Sequence, residues 1–347
     1  MPDMMRTAVL VAASRIEVQE RPRPRAGPGQ VVLRVRAVGI CGSDKHYFSG
    51  RRDYEDSTVY PFVLGHEYAG EVAELGPGVT GPAVGTRVTC DPDLPCGTCR
   101  SCRQNKPNIC RHVKFAGSPP IEGALSEYYP VAASQCHVMP DAMSFDEAVV
   151  HEPLAIGLHI IEHLVKPQPG QSLAIIGAGP IGLCCLVAAR QTQLGDIFVS
   201  DMLPNRLALA KRYGATEVFN AALGDFAEFV NERTDGGVDI SVEAAGEAVA
   251  MQQAIGLTAY GGLVVLEGIA DTPMIPLDLQ TARRRELTII VGRRSRHMAE
   301  RAMHLIEQHA FDANAMITHR FPLEQTQRAF EITNALADNV IKAMVHP

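Results

Sequence analysis

Residues 173–182 read LAIIGAGPIG, an apolar run that leads into the glycine pattern G-x-G-x-x-G. The run predicts a short buried strand, and the pattern from Pro180 to residue 193 predicts a helix directly after it. Glycines in such a turn permit a tight bend and close approach of the backbone to a pyrophosphate, and the helix N-terminus favours anionic phosphates. The stretch therefore predicts a dinucleotide-binding turn, with candidate contacts from Gly177, Gly179, Pro180, Ile181 and Gly182.

An acidic residue stands where it would meet the ribose of such a dinucleotide. Asp201 ends the next predicted strand, at the distance from the glycines where a carboxylate binds the ribose 2′-hydroxyl and repels a 2′-phosphate. Arg206 lies slightly further on and tempers this preference only a little. We therefore expect NAD rather than NADP; an acid that merely caps a strand end is the alternative.

A change in the pattern of apolar runs and turn residues divides the chain into two predicted domains. Up to residue 153, short apolar runs such as residues 31–38 are separated by glycine and proline, which predicts a β-rich, barrel-like domain. From residue 154 to residue 291, predicted strands and helices alternate, which implies parallel βαβ units and a doubly wound Rossmann sheet. A final helix and strand follow, and residues 292–347 are expected to return to the first domain of this α/β fold.

Composition and charge exclude several classes of protein. The 347 residues correspond to about two domains, with hydrophobic (46%) and charged (20%) fractions typical of soluble globular proteins. A net charge of −7 argues against nucleic acid as a partner, because phosphate binding needs concentrated lysine and arginine. Residues 1–18 read as a strand rather than a signal peptide, and no window approaches the ~20 apolar residues of a membrane span. Nine cysteines without a secretion signal favour thiolate ligands in a reducing cytoplasm.

Four cysteines, Cys96, Cys99, Cys102 and Cys110, form a C-x2-C-x2-C-x7-C array. Four thiolates at this spacing suit a closed tetrahedral zinc site, in which protein sulfurs fill every coordination position. A chance cluster of loop cysteines is the alternative, but cysteine is a rare residue. The array therefore predicts a structural zinc site.

A second, open metal site is predicted from residues that lie far apart in the sequence. Cys41 follows Gly39-Ile40, whereas His66 and Glu67 follow Gly65. One sulfur, one nitrogen and one oxygen donor can hold zinc and leave a position for substrate or water. Taken singly, such a histidine is more often structural and such a glutamate more often a solvated surface charge.

The order of these motifs resembles the zinc-dependent medium-chain dehydrogenase/reductase family, and within it the sorbitol (polyol) dehydrogenase branch. Besides the glycine loop and the cysteine array, the resemblance includes CGSDKHY (41–47), GHE (65–67), FA (115–116), HEPL (151–154) and THRFPL (318–323). It covers nearly the whole chain. It implies a GroES-like catalytic domain and a Rossmann domain, with catalytic zinc in the cleft between them held by Cys41, His66 and Glu67.

The resemblance also implies roles for two carboxylates. Glu152 stands where the alcohol dehydrogenases of the family place a second ligating cysteine, and it would hold a water on the zinc or bind the metal itself. The plainer alternative is a carboxylate stabilised at a helix start. Asp44 would accept a hydrogen bond from His66 and fix its tautomer; its alternative is a local turn cap.

Four further residues are implied to act on the substrate. Ser43 and His46 match a proton relay: Ser43 would accept the proton of a secondary alcohol as a general base and pass it outward through His46. Tyr47 and Phe115 would line the pocket. His46 could instead be a rim residue, and Tyr47 could simply pack in the core.

One motif departs from the pattern of the branch. Where the branch has an arginine followed by an aromatic residue that together bind substrate hydroxyls, Arg294 matches the arginine but Ser295 replaces the aromatic. Arg293 and Arg296 add positive charge, so the substrate could be larger than sorbitol, or could carry a phosphate or, as a sugar acid does, a carboxylate. A solvated basic loop is the alternative.

The expected reaction is hydride transfer from a secondary alcohol of a polyol or sugar acid to NAD, with one catalytic and one structural zinc ion. Two alternatives stay open: an L-threonine 3-dehydrogenase-like enzyme, which typically has phenylalanine where this chain has Leu154, and a non-catalytic relative that binds zinc and NAD. The family is often dimeric or tetrameric, so a homotetramer is expected by resemblance alone.

Overall fold

The computed structural model describes residues 3–50 and 60–347. The chain forms two compact units: unit 1 is Met1–Glu152 together with Ala299–Pro347, and unit 2 is Pro153–Met298.

The first part of unit 1 consists mainly of strands joined by turns. They are β1 (Met4–Ala12), β2 (Arg15–Pro22), β3 (Gln30–Gly39), β4 (Glu67–Leu75), β5 (Arg87–Cys90), β6 (Asp93–Leu94), β7 (Lys114–Phe115), β8 (Tyr128–Ala132) and β9 (Cys136–Val138). The helices are short: α1 (Gly42–Ser49), α2 (Arg100–Arg103) and α3 (Phe145–Val149), followed by α4 (His151–Leu158), which begins in unit 1 and continues into unit 2.

Unit 2 alternates strands and helices around one parallel sheet. The strands are β10 (Leu173–Ile176), β11 (Ile197–Asp201), β12 (Glu217–Asn220), β13 (Val238–Glu243), β14 (Thr258–Leu266) and β15 (Thr288–Val291). The helices are α5 (Pro180–Ala189), α6 (Pro204–Arg212), α7 (Phe226–Asn231), α8 (Ala248–Leu257) and α9 (Leu279–Arg284). The strand order is β12-β11-β10-β13-β14-β15, and every neighbouring pair is parallel. The order reverses at β10, so the carboxyl ends of β10 and β13 are the place where a doubly wound sheet binds its ligand.

The chain then returns to unit 1 and completes its main sheet. The returning elements are α10 (Ala299–Glu307), α11 (Ala313–Met316), β16 (Ile317–Pro322), α12 (Thr326–Ala335) and β17 (Lys342–His346). β17 pairs antiparallel with β3, so the seven-stranded sheet has the order β16-β17-β3-β4-β5-β9, with β8 also paired to β3. The inner faces bury a core of valine, leucine and aromatic side chains. A β-rich unit and a parallel-sheet unit together confirm the predicted fold class.

One helical run departs from the expectation that no window approaches a membrane span. Phe145–Val165 comprises α3, α4 and a π-helical turn at His159–Val165, and it is long and apolar enough to cross a membrane. However, 78% of its most apolar window is buried inside the protein. The run therefore has the character of a core helix.

Candidate functional site

The end of β3 and the start of β4 bring the predicted open-site ligands together in unit 1. Gly39 at the end of β3 lies opposite Glu67 at the start of β4, and Cys41 lies two residues after Gly39. A Cβ at position 39 would lie 2.3 Å from the Glu67 carboxylate, so glycine is needed there to seat that side chain. The ligand atoms of Cys41, His66 and Glu67 all lie within 4.8 Å of one another.

Asp44 organises two of these three residues. It is fully buried in the first turn of α1, where its Oδ2 accepts a hydrogen bond from the backbone N–H of Cys41 at 3.0 Å. Its Oδ1 lies 3.2 Å from Nδ1 of His66. Burial lowers the pKa of His66, but Asp44 and Cys41 outweigh burial and hold that pKa well above its usual value. A carboxylate beside Nδ1 leaves Nε2 of the imidazole to face a metal.

Glu152 lies in the first turn of α4 and is 8% exposed. Its Oε2 is buried and has no hydrogen-bond partner among the described residues. Burial, followed by the charge of Glu67, raises the pKa of Glu152 to about 8. A buried oxygen without a partner, in a carboxyl group that interacts electrostatically with Glu67 and His66, fits a group that acts near a metal without belonging to the three-residue ligand set.

The backbone that carries Glu152 is held by His151 and Thr89, to which the sequence patterns assign no role. The helix is interrupted between α3 and α4, and fully buried His151 places its Nδ1 2.8 Å from the carbonyl oxygen of Ala148 and 3.0 Å from Oγ1 of Thr89. Oγ1 of Thr89 also donates to the carbonyl oxygen of Tyr68 at 3.0 Å. These contacts tie the start of α4 to the main sheet.

Lys342, the first residue of β17, is the functional candidate that sequence reasoning missed. Its Nζ forms a buried ion pair with Glu67 and lies 3.3 Å from the carbonyl oxygen of Ile40. Burial lowers the pKa of Lys342, but Glu67 and then Cys41 outweigh that effect, so its pKa is raised. The ammonium group is therefore a fixed positive charge beside the candidate metal ligands.

The other predicted residues of this site occupy different environments. Ser43 and His46 are half-buried on α1. Tyr47 is 2% exposed, belongs to the core and shares a 2.8 Å hydrogen bond with Ser118. The ring of Phe115 is half-buried with its centroid 5.2 Å from that of His66. Phe115 thus lies beside a candidate ligand. The ring of Tyr47 packs in the core, and its hydroxyl group forms a hydrogen bond with Ser118.

Replacement of Asp44 by asparagine is expected to lower zinc affinity at the Cys41–His66–Glu67 set by about 10- to 100-fold, since the carboxylate orients the imidazole and the Cys41 backbone. Competition with a chromophoric chelator measures this affinity. Asp146→Asn, which changes a carboxylate paired with Arg320 and His346 in the same unit, is the matched control. Equal zinc affinity in wild type and Asp44→Asn would contradict the role of Asp44 in orienting the metal ligands.

The four predicted structural ligands form a second group in unit 1. The Sγ–Sγ distances are 3.5 Å for Cys99–Cys102, 3.8 Å for Cys99–Cys110 and 3.5 Å for Cys96–Cys110. A tetrahedral zinc ion with ~2.3 Å bonds separates its sulfurs by about 3.8 Å, so the arrangement fits that ion. Backbone N–H groups of Thr98 and Cys99 lower the pKa of Cys96 to about 6, which favours the thiolate.

The glycine loop of unit 2 lies at the carboxyl end of β10. Gly177 has φ of 96°, and a Cβ at Gly182 would lie 1.8 Å from the carbonyl oxygen of Gly177, so both positions require glycine. A Cβ at Gly179 would have only Arg206 within 4 Å, at 3.7 Å, so the backbone there is open to a ligand. Pro180 and Ile181 are half-buried at the start of α5, whose N-terminus favours a phosphate.

Asp201 at the end of β11 faces this loop. Its Oδ2 accepts a hydrogen bond from the backbone N–H of Ala178 at 2.8 Å, and its Oδ1 accepts one from Leu203 at 2.9 Å. The Arg206 guanidinium lies 3.6 Å from Oδ2. The carboxylate therefore braces the glycine loop and stands beside a cation, a contact that the sequence pattern did not reveal.

The arginines predicted to meet the substrate follow β15. Arg294 is half-buried and has a left-handed backbone, with φ of 53°. Arg296 places its Nη2 3.0 Å from Nδ1 of His163. Arg294 belongs to unit 2, whereas the predicted pocket residues Tyr47, Phe115 and Glu152 belong to unit 1.

The chain matches two known domain families. Residues 27–141 match the alcohol dehydrogenase GroES-like domain, and residues 180–308 match the zinc-binding dehydrogenase domain. Sorbitol dehydrogenase of Bacillus subtilis is 35% identical over 100% of this chain and 98% of its own length. L-idonate 5-dehydrogenase of Vitis vinifera is 34% identical over 97% of this chain and 94% of its own.

Solved structures show the same likeness. A zinc-binding dehydrogenase of Sinorhizobium meliloti bound to NADP superposes with a TM-score of 0.91 at 30% identity, covering 99% of this chain and 100% of that one. An alcohol dehydrogenase of Escherichia coli CFT073 in complex with NADH has a TM-score of 0.90 at 27% identity, covering 99% of each chain. With its motifs, fold and relatives in agreement, the chain belongs to the zinc-dependent medium-chain dehydrogenase/reductase family, in its sorbitol dehydrogenase-like branch.

Proposed function

We propose that the protein oxidises a secondary hydroxyl group of a polyol or sugar acid to a ketone, with NAD as the hydride acceptor. The observation that carries the proposal is the buried carboxyl group of Glu152, which has an oxygen without a hydrogen-bond partner and interacts electrostatically with Glu67 and His66 of the Cys41–His66–Glu67 set. The names of relatives that match along the whole chain support the substrate class: sorbitol is a polyol, and L-idonate is a sugar acid.

The reaction requires a proton to leave the hydroxyl and a hydride to leave its carbon. Zinc held by Cys41, His66 and Glu67 would supply Lewis acidity that lowers the pKa of the substrate hydroxyl, and a dinucleotide held at the glycine loop would supply the hydride acceptor. Ser43, half-buried in the first turn of α1, accepts the hydroxyl proton as its own hydroxyl proton leaves toward His46. His46 lies three residues further along the same helix, on the same face, and passes the proton to solvent.

Glu152 and Phe115 position the substrate in this proposal. The buried carboxyl group of Glu152 donates a hydrogen bond to the substrate when it is protonated and accepts one when it is ionised. Phe115 covers one side of His66 and excludes water from it. Arg294 is proposed to meet a carboxylate or a distal hydroxyl of the substrate, since its guanidinium donates in a fork geometry.

The first test measures NADH formation by the zinc-loaded protein with sorbitol, xylitol, galactitol, L-idonate and related sugar acids, L-threonine and simple alcohols. Activity on a polyol or sugar acid that Cys41→Ser abolishes supports the proposal; Cys136→Ser, a half-buried cysteine outside both candidate metal groups of the described residues, serves as the control. Activity confined to L-threonine would contradict the proposal and support an L-threonine 3-dehydrogenase-like enzyme. No NADH formation with any of these compounds, in protein that holds two zinc ions per chain, would contradict the proposed substrate class.

Asp201→Ala is expected to raise the KM for NAD about tenfold and to shift the preference toward NADP. The substitution removes the carboxylate that meets the ribose and braces Ala178, and it leaves the Arg206 guanidinium facing the same space. Initial rates with each cofactor give the ratio of kcat/KM values. Asp239→Ala, which alters a carboxylate at the opposite end of the sheet beside Ser172, is the control. An unchanged cofactor preference would contradict the role of Asp201.

We further propose a homotetramer located in the cytoplasm. Light scattering of the purified protein tests the oligomeric state, and a dimer or monomer would contradict it. Fractionation of the source cells tests the location.

A further inference from the structure

Two cysteines outside both candidate metal groups of the described residues face each other across unit 1. Cys90, at the end of β5, and Cys136, at the start of β9, are direct partners in the antiparallel ladder. Their sulfur atoms lie 3.6 Å apart, and both are free thiols. Neither residue is used by the proposed function.

The ladder geometry around this pair suits a covalent bond. The backbone N–H of Asp91 donates to the carbonyl oxygen of Gln135 at 3.0 Å, which makes Asp91 and Gln135 a hydrogen-bonded pair. The next pair, Cys90 and Cys136, is therefore a non-hydrogen-bonded one, whose Cα atoms in such ladders are about 4.5 Å apart. That separation falls within the ~4.4–6.8 Å range of disulfides, so side-chain rotation can close the gap between the sulfurs.

The two thiols differ in their access to solvent. Cys90 is fully buried, and burial raises the pKa of its thiol well above the usual value. Cys136 is half-buried on β9, the strand at one edge of the main sheet. A small oxidant therefore reaches Cys136 first. The buried sulfur of Cys90 lies within contact distance of the Cys136 sulfur.

A disulfide between Cys90 and Cys136 would join the two ends of the segment that carries the four-cysteine group. β5 leads into residues 91–135 and β9 follows them, and this segment carries Cys96, Cys99, Cys102 and Cys110. A link between Cys90 and Cys136 closes the base of that segment. Closing such a loop restricts the unfolded chain and stabilises the folded segment independently of its metal.

We propose that Cys90 and Cys136 are a peroxide-responsive thiol pair that forms a reversible disulfide at the base of the four-cysteine segment. The Cys136 sulfur attacks one oxygen of a hydroperoxide; the O–O bond breaks, and Cys136 becomes a sulfenic acid as water or an alcohol leaves with its proton. The Cys90 sulfur then attacks the Cys136 sulfur; the S–O bond breaks, the S–S bond forms, and the hydroxyl leaves with the Cys90 proton as water. Two thiols are oxidised and one peroxide is reduced.

The test treats the zinc-loaded full-length protein with hydrogen peroxide, alkylates the remaining thiols and maps non-reduced proteolytic peptides by mass spectrometry. A Cys90–Cys136 peptide that appears while both zinc ions are retained, and that dithiothreitol removes, supports the proposal. Recovery of Cys136 as sulfinic acid with Cys90 still alkylated would overturn it. So would oxidation confined to the four-cysteine group with release of its zinc.

The effect on the segment is measured separately by adding a chelator to reduced and oxidised protein. Amide hydrogen exchange in β5 and β9 after zinc removal is expected to be at least tenfold slower in the oxidised protein. Cys136→Ser should lose this difference, whereas Cys185→Ser, a buried thiol of α5, should keep it. Equal exchange in the reduced and oxidised forms would contradict the proposed role of the bond. Neither measurement depends on dehydrogenase activity, so the proposed function and this inference can fail separately.

Discussion

Replacing Lys342 with methionine is expected to destabilise the form that lacks the catalytic zinc by about 3–5 kcal/mol, because the Glu67 carboxylate loses its buried cation. Both side chains are 1% exposed, so water cannot take the place of the ammonium group. Methionine has a similar length and fills the same volume without charge. Denaturant unfolding of the one-zinc form, with the four-cysteine site filled, measures the loss.

Zinc at the open site should relieve most of that loss. A divalent cation beside Glu67 supplies the missing positive charge, whereas in wild type the ammonium group repels it. The affinity of Lys342→Met for the second zinc ion is therefore expected to rise, by about tenfold for each 1.4 kcal/mol relieved. Lys342→Arg keeps the charge and is expected to stay near wild type in both measurements. Equal destabilisation of the one-zinc and two-zinc forms of Lys342→Met would show that Lys342 acts only in packing.

Local patterns in the sequence predict the regular elements of unit 2 closely. The strand expected directly before the glycine loop is β10, and the helix expected from Pro180 is α5, which ends at Ala189 rather than residue 193. Strands buried on both faces are continuous apolar runs, so their signal is strong. Residues 190–193 are polar and form turns after the helix, which periodicity alone does not distinguish from a last helical turn.

The candidate site is predictable only where its residues belong to short motifs. Cys41, His66 and Glu67 lie in motifs that the resemblance brings together, whereas Lys342 lies 275 residues from Glu67. Sequence patterns predict a final strand in the returning segment but give no sign that a lysine in that strand points inward. Only the pairing of β17 with β3, Met344 opposite Gly39, places that side chain beside the ligands. Thr89 and His151 were missed for the same reason, since their contact depends on the packing of α4 against the sheet.

Glu152→Gln is expected to lower kcat for the preferred substrate by about 10²-fold, the loss typical when a group that positions the substrate is altered. Glutamine keeps the shape and the hydrogen-bonding capacity of the side chain but cannot ionise. Zinc content should stay at two ions per chain, because Cys41, His66 and Glu67 are unchanged. Steady-state kinetics together with metal analysis separates loss of chemistry from loss of metal.

The same substitution has an expected signature in the stability of the one-zinc form. The pKa of Glu152 is raised to about 8 in the folded protein, above its unfolded value near 4.5, so the folded state holds the proton more tightly. The stabilisation from this group is fully present below about pH 4.5 and is lost as pH rises toward 8, by at most about 1.4 kcal/mol per pH unit. Glutamine mimics the protonated carboxyl group, so Glu152→Gln should lose less stability than wild type between pH 5 and pH 8.

The two measurements on Glu152 test different properties and can disagree. If kcat falls while the pH dependence of stability matches wild type, the carboxylate is ionised in the folded protein and acts as a fixed base or ligand. If the pH dependence changes while kcat does not, the carboxyl group is buried without a part in the reaction, as a carboxylate at a helix start would be. Only a change in both supports a titrating carboxyl group that positions the substrate. Glu147 lies in the first turn of α3, where its carboxylate accepts a hydrogen bond from the backbone N–H of Ser144. Glu147→Gln should change neither kcat nor the pH dependence of stability.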